Sequence, residues 1–132
     1  MEISSALRDR LCNAAKRTPD VEVCGLIFGT ADRIDDMVDC ANVAAEPKRT
    51  FELDPTALFA ALRAERGGGP VLLGYWHSHP SGDIRPSATD AARAAADGKV
   101  WLIVAGDLVG AWRAMLGDGG GTVFAAVTLN IL

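Results

Sequence analysis

A chain of 132 residues with 49% apolar and 23% charged side chains has the size and composition of one soluble globular domain, which excludes wholesale disorder and two full domains. Seventeen acidic against thirteen basic side chains leave a formal charge of −4 with no basic block to neutralise a run of phosphates, so nucleic acid is not an expected partner. Cys12, Cys24 and Cys40 lack zinc-finger or thioredoxin spacing and point to reduced thiols in a cytoplasm. The first residues hold neither a basic start nor a long apolar stretch, and no window approaches the roughly 20 apolar residues that span a bilayer, so an unsecreted protein without membrane contact is expected.

Ile3, Leu7, Leu11 and Ala14 or Ala15 recur at spacings of three and four, which predicts an amphipathic helix over residues 2–17, stopped by Pro19. Val21 to Phe28 is short, apolar and rich in β-formers, ends at Gly29, and reads as a strand buried on both sides. Glu22 is out of place there, because a carboxylate in such a strand is rarely buried without a partner. Residues 33–45 read as one strand, 46–49 as a loop and 50–53 as a short extended piece. Asp54-Pro55 has the chemistry of an N-cap and a first-turn proline, opening a helix to about Arg66 that Gly67-Gly68-Gly69-Pro70 ends. Val71 to His77 is a further strand, Pro80 to Pro86 a loop, and Ser87 to Asp97 an alanine-rich helix closed by Gly98. Val100 to Ala105 and Val109 to Met115 form a hairpin turning at Gly106-Asp107, and a last strand runs from Thr122 to about Leu129. The fold class is therefore α/β, a single domain with a mixed sheet and three helices, without internal repeats.

The chemistry concentrates in His77-Ser78-His79-Pro80-Ser81-Gly82-Asp83-Ile84-Arg85-Pro86-Ser87-Ala88-Thr89-Asp90, which holds both histidines of the chain. At a strand end, the two-residue period puts both imidazoles on one face. Two ring nitrogens on a shared tetrahedral zinc lie about 3.4 Å apart, a separation that same-face neighbours reach with a small tilt. Asp90, in the first turn of the next helix, supplies a third ligand, and the fourth position stays open for water, as a catalytic site requires. Zinc lowers the pKa of bound water to about 7, but a base must still carry the proton to the leaving amine, and Glu22 is the candidate. Each residue has a plainer reading. Ser87 to Asp90 is also a capping-box variant, the two histidines could be hydrogen-bonded core side chains, Glu22 could face water from an edge strand, and Cys24 suits a small buried hydrophobe better than a fourth ligand. None of these readings predicts the joint spacing.

That joint pattern resembles the signature of the JAMM (MPN+) zinc metalloproteases: an upstream glutamate, His-Ser-His, seven residues (Pro80 through Pro86), then Ser-x-x-Asp. Flanking residues agree, with Val23-Cys24-Gly25-Leu26 after the glutamate, Gly74-Tyr75-Trp76 before the first histidine and Pro80-Ser81-Gly82 after the second. The resemblance covers essentially the whole chain and implies the JAB/MPN architecture, of cytidine-deaminase-like type. It implies zinc held by His77, His79 and Asp90, Glu22 as general acid/base, and Ser87 as a hydrogen-bond donor to the oxyanion. It further implies hydrolysis of the amide bond after the C-terminal Gly-Gly of a ubiquitin-like or sulfur-carrier protein, as in stand-alone prokaryotic members. The stretch Pro47 to Pro55 resembles the segment bordering the cleft in such proteins, which makes Phe51 a substrate-binding residue and offers a strand edge to a Gly-Gly tail.

Three other readings compete. A metal-free MPN interaction module should have lost ligands, and none is missing. A nucleobase deaminase needs H-x-E and P-C-x-x-C, and neither is present. A JAB peptidase of phage-tail assembly or cell-wall peptide cleavage keeps the chemistry and changes the target. The sequence leaves the physiological conjugate and the oligomeric state open.

Overall fold

The structure is a computed structural model that describes all 132 residues, Met1–Leu132. Its elements in chain order are β1 (Glu2–Ile3), α1 (Ser5–Arg17), β2 (Cys24–Gly29), β3 (Arg33–Cys40), α2 (Pro55–Arg66), β4 (Leu72–Ser78), α3 (Ala88–Arg93), β5 (Val100–Ala105), β6 (Leu108–Leu116), β7 (Thr122–Ala126) and β8 (Asn130–Ile131). The strands form one sheet in the order β7-β6-β5-β4-β2-β3-β1-β8. Pairing is mixed, with β4–β5, β1–β3 and β1–β8 parallel and the rest antiparallel. The strands β7 and β8 lie at opposite ends of this order, yet only Val127, Thr128 and Leu129 separate them. So short a link cannot cross a flat eight-stranded sheet whose strands are about 4.8 Å apart, so the sheet curls until its ends approach.

One face of the sheet carries α1. Its apolar residues Leu7, Leu11, Cys12, Ala14 and Ala15 are buried against Ile27, Ile34, Met37, Trp76, Val100, Leu102 and Val104. The helix starts where the Ser4 side chain accepts from the Leu7 amide, and Lys16 and Arg17 sit in its last turn, where cations suit the helix dipole. The opposite face carries α2, with Ala61, Leu58 and Leu62 over Leu26, Leu72 and Tyr75. Strand β5 lies between β4 and β6, and all six of its residues are buried, as a strand covered on both faces requires. Gly25 is required by close approach, since a Cβ there would stand 1.8 Å from the Val38 carbonyl and 2.3 Å from Trp76 Nε1. The Trp76 indole uses that space to donate to Val38 O.

Most expected elements are present, with five corrections, the first being that β3 ends at Cys40, short of the expected residue 45. Ile3 belongs to β1 and not to the first helix: the Ser4 cap starts α1 later, and Ile3 is buried by pairing with Ile34 and Ile131. Strand β2 begins at Cys24, so Glu22 stands in the approach to it. The third helix stops at Arg93, because Ala94 turns extended (φ −70°, ψ 135°) and its carbonyl accepts from Thr122 Oγ1 at 2.6 Å. The final stretch is two strands, since β8 leaves the β7 edge to pair with β1. All three cysteines are free thiols, and no helix is long and apolar enough to cross a membrane.

Candidate metal centre

The site forms at the C-terminal end of β4, on the face that carries α2 and α3. Pairing runs on beyond the strand, with the His79 amide donating to Val104 O at 2.9 Å. Both imidazoles therefore point the same way, and both are buried, as are Glu22 and Asp90. His77 Nε2 and His79 Nε2 stand 3.0 Å apart, and Asp90 Oδ2 lies 3.3 Å from the first and 3.1 Å from the second. The expected triad is thus assembled, and Glu22 completes a group whose ligand atoms all lie within 4.8 Å of one another.

The capping box aims Asp90. Ser87 Oγ accepts from the Asp90 amide at 3.0 Å, and Asp90 Oδ2 accepts from the Ser87 amide at 2.8 Å, so the carboxylate is fixed at the helix start while facing both rings. The two readings of Ser87 are compatible. As a cap its oxygen accepts, which leaves the hydroxyl hydrogen free to donate elsewhere.

Two residues that the sequence did not single out hold the Glu22 segment in place. Ser78, between the two histidines, accepts from the Val23 amide through Oγ at 2.9 Å and donates its own amide to Val23 O at 2.9 Å. Asn42 Nδ2 donates to Glu22 O at 2.8 Å and to Thr50 O at 3.1 Å, while its Oδ1 accepts from Ala44 and Glu52 amides. Asn42 thereby joins the Glu22 segment to the cleft wall. Its only sequence signal is an amide side chain inside a weakly patterned stretch.

The donor set suits a cation. His79 Nδ1 donates to the Asp83 carbonyl at 2.7 Å, so in the neutral ring Nε2 carries the lone pair and faces His77 Nε2 and the Asp90 carboxylate. Glu22 Oε1 and His77 Nδ1 are buried polar atoms without a hydrogen-bond partner. A cluster of acceptors with orphaned buried atoms is costly unless an ion gathers them. The 3.0–3.3 Å separations approach the ligand–ligand distance of a tetrahedral site.

The charges are tuned accordingly. Burial pushes Glu22 up to about 7, with His79 opposing and Asp90 adding to the rise. Burial also opposes ionisation of Asp90, but hydrogen bonds from His77 and His79 outweigh it and hold this carboxyl far below its usual range. Burial keeps His77 below the ordinary imidazole value despite Asp90, whereas for His79 the Asp90 and Asp83 hydrogen bonds overcome burial and raise it. Two acids a few ångströms apart are thus driven in opposite directions, the pattern that divides ligand from proton carrier. Cys24 stays outside the cluster. Its thiol is pushed up to about 12 by burial and lies near the Cys40 and Ala41 carbonyls, so it packs as a small buried group.

A cleft of about 370 Å³ leads away from Asp90, lined by Phe51, Leu53, Leu58, Tyr75, Arg93 and Trp101 among others. The Phe51 ring stacks on His77 with centroids 4.3 Å apart, and Trp101 meets both rings edge-on. The 50–53 segment is held on one side only: Val43 N donates to Glu52 O and Asp54 N to Ala41 O, with Leu53 opposite Asn42. In that antiparallel arrangement the Leu53 amide and carbonyl face the other edge, as do those of Phe51 by alternation. No backbone hydrogen bond reaches them, and both residues line the cleft.

Residues 4–116, which include every residue of this cluster, match the family described as prokaryotic homologs of the JAB domain. The chain belongs to this family. It is 36% identical over 113 residues to a protein of Haloferax volcanii named desampylase, covering 81% of each chain. It is also 36% identical over 69 residues to a protein of Thermus thermophilus named as a probable TtuB-protein conjugate cleaving protease, covering 52% of this chain and 46% of that one. The chain thus spans about half the length of that relative. The fold is similar to that of AF2198, a JAB1/MPN domain protein from Archaeoglobus fulgidus, with a TM-score of 0.63 at 23% identity over 100% of this chain and 99% of that one.

Proposed function

We infer that the protein is a zinc-dependent isopeptidase that hydrolyses the amide bond after the C-terminal Gly-Gly of a ubiquitin-like or sulfur-carrier protein. The observation that carries this reading is the meeting of two Nε2 atoms and one carboxylate within 3.3 Å, beside a buried, unpartnered Glu22 oxygen. A metal-free interaction module has no use for that arrangement. The names of the two relatives, one of them describing cleavage of a protein conjugate, support the substrate class.

His77, His79 and Asp90 would hold the ion, which when bound supplies Lewis-acid chemistry: it acidifies water and polarises a carbonyl. Glu22 does the proton work. Burial makes it a stronger base than an exposed carboxylate, and it takes a proton from the attacking water and returns it to the departing amine. The free hydroxyl hydrogen of Ser87 donates to the oxygen that gains charge in the tetrahedral intermediate. The unpaired edge of Phe51 and Leu53 suits an extended tail that pairs main chain to main chain, and a Gly-Gly tail brings no side chains into the part of the cleft beside Phe51 and Asp90.

The decisive experiment is cleavage of a ubiquitin-like protein joined through Gly-Gly to a reporter, with metal analysis of the same preparation. Cleavage that stops with a chelator and returns with zinc is expected. A zinc-loaded protein that leaves every such fusion intact while cutting a cell-wall or tail-assembly peptide would move the target to the other reading.

A further inference from the structure

Trp112 lies on β6, outside the ligand cluster, and its single polar atom is committed to the loop between the histidines and Asp90. The indole Nε1 donates to the Ile84 carbonyl at 3.0 Å. The preceding residue, Asp83, supplies the carbonyl that accepts from His79 Nδ1 at 2.7 Å. His77, Ile103 and Gly110 form one row across three strands, which brings the bare backbone of Gly110 beneath this loop. A Cβ at Gly110 would stand 2.8 Å from the Ile84 oxygen and 3.2 Å from the Ile84 Cβ. Space at Gly110 and a donor at Trp112 thus fix the same carbonyl from β6. The remaining hydrogen bonds inside the loop are local: Gly82 N to His79 O, Asp83 N to Ser81 Oγ, and Arg85 to the Asp83 carboxylate. They shape the turn without tying it to the sheet.

We propose that Trp112 is a positioning residue for the metal centre: through Ile84 it holds the Asp83 carbonyl against His79 Nδ1 and so keeps His79 Nε2 as the bare, ion-facing nitrogen. The link to metal binding rests on the reading of His79 as a ligand, whereas the effect on the imidazole proton exists in the metal-free protein as well. A partner that fixes the tautomer and angle of a ligating histidine is worth about 10–100-fold in metal affinity.

The test uses Trp112→Phe, which keeps an aromatic ring and removes the N–H. Zinc affinity is measured by competition with a chelator. Nitrogen-15 NMR of the two histidines, above the imidazole titration and without metal, reports which nitrogen of His79 carries the proton. The expected result is zinc binding weaker by up to about tenfold, because Trp112 acts through Ile84 and not on the imidazole itself, together with loss of the uniform Nδ1–H form. An unchanged zinc affinity and an unchanged tautomer would overturn the proposal and leave Trp112 a packing residue. If the parent protein itself took up no zinc, the metal reading would fall and the tautomer comparison alone would decide this one. Gly110→Ala presses on the same carbonyl from beside the Trp112 indole, and the same two measurements on it carry the test should Trp112→Phe not fold.

Discussion

Replacing Glu22 with glutamine separates proton transfer from both metal binding and folding. The side chain is buried, and Oε1 has no partner whose loss would complicate the comparison. An amide of the same shape cannot accept the proton, so turnover should fall by about 10²–10⁴ while zinc content stays at the parent level. Stability supplies a second, independent number. Burial raises the folded pKa from 4.5 to about 7, so between these values the unfolded chain has already released its proton while the folded one has not. The Glu22 contribution to the stability of the metal-free parent should therefore drop as pH rises through this window and level off above about 7. The full effect is at most about 3 kcal/mol. Glutamine has no charge to bury. Metal-free Glu22→Gln should match the parent at about pH 4 and exceed it by up to that amount at about pH 8, measured by urea unfolding. A variant that still cleaves within about threefold of the parent rate would remove Glu22 from proton transfer. A stability difference that stays constant with pH would show that burial does not shift this carboxyl.

Three further outcomes are expected. His77→Ala should fold but fail to retain zinc through dialysis, because the two remaining ligands no longer enclose the ion; stoichiometric metal in the variant would dissolve the triad. Ser87→Ala should lower turnover by about 10²–10³ with zinc retained and, through the lost cap, reduce unfolding stability by about 1 kcal/mol. A stability loss at unchanged rate would leave Ser87 as a cap alone. Phe51→Ala removes a ring stacked on His77 at the metal end of the cleft, and cleavage of a Gly-Gly conjugate should slow by about tenfold, the equivalent of about 1.4 kcal/mol. Unchanged conjugate cleavage would take Phe51 out of substrate binding.

The chemistry was readable in one dimension because it is local. His77 and His79 share a face through the two-residue period of a strand, and Ser87 and Asp90 share a helix start through the capping box, so short-range geometry already aims His77, His79 and Asp90 at one point. Asp54-Pro55, the glycines after Arg66 and the Gly106-Asp107 turn marked boundaries correctly for the same reason: each acts through its own backbone. Where boundaries failed, a distant partner had intervened. Ile3 fits the helical period but is drawn into β1 by Ile34 and Ile131, and the alanine-rich third helix ends early where Thr122 captures the Ala94 carbonyl.

What the sequence alone determined, then, is the grouping of His77, His79 and Asp90, their likeness to the JAMM pattern, and the α/β class, all consequences of spacing along the chain. Only the tertiary structure brought Glu22 across to the histidines, where Ser78 grips the adjoining Val23, seated Phe51 on the His77 ring, and tied the loop between His79 and Asp90 to β6 at Trp112 and Gly110. Those contacts join residues dozens of positions apart. No local period encodes them, because they exist only once the sheet has curled and its neighbours have packed.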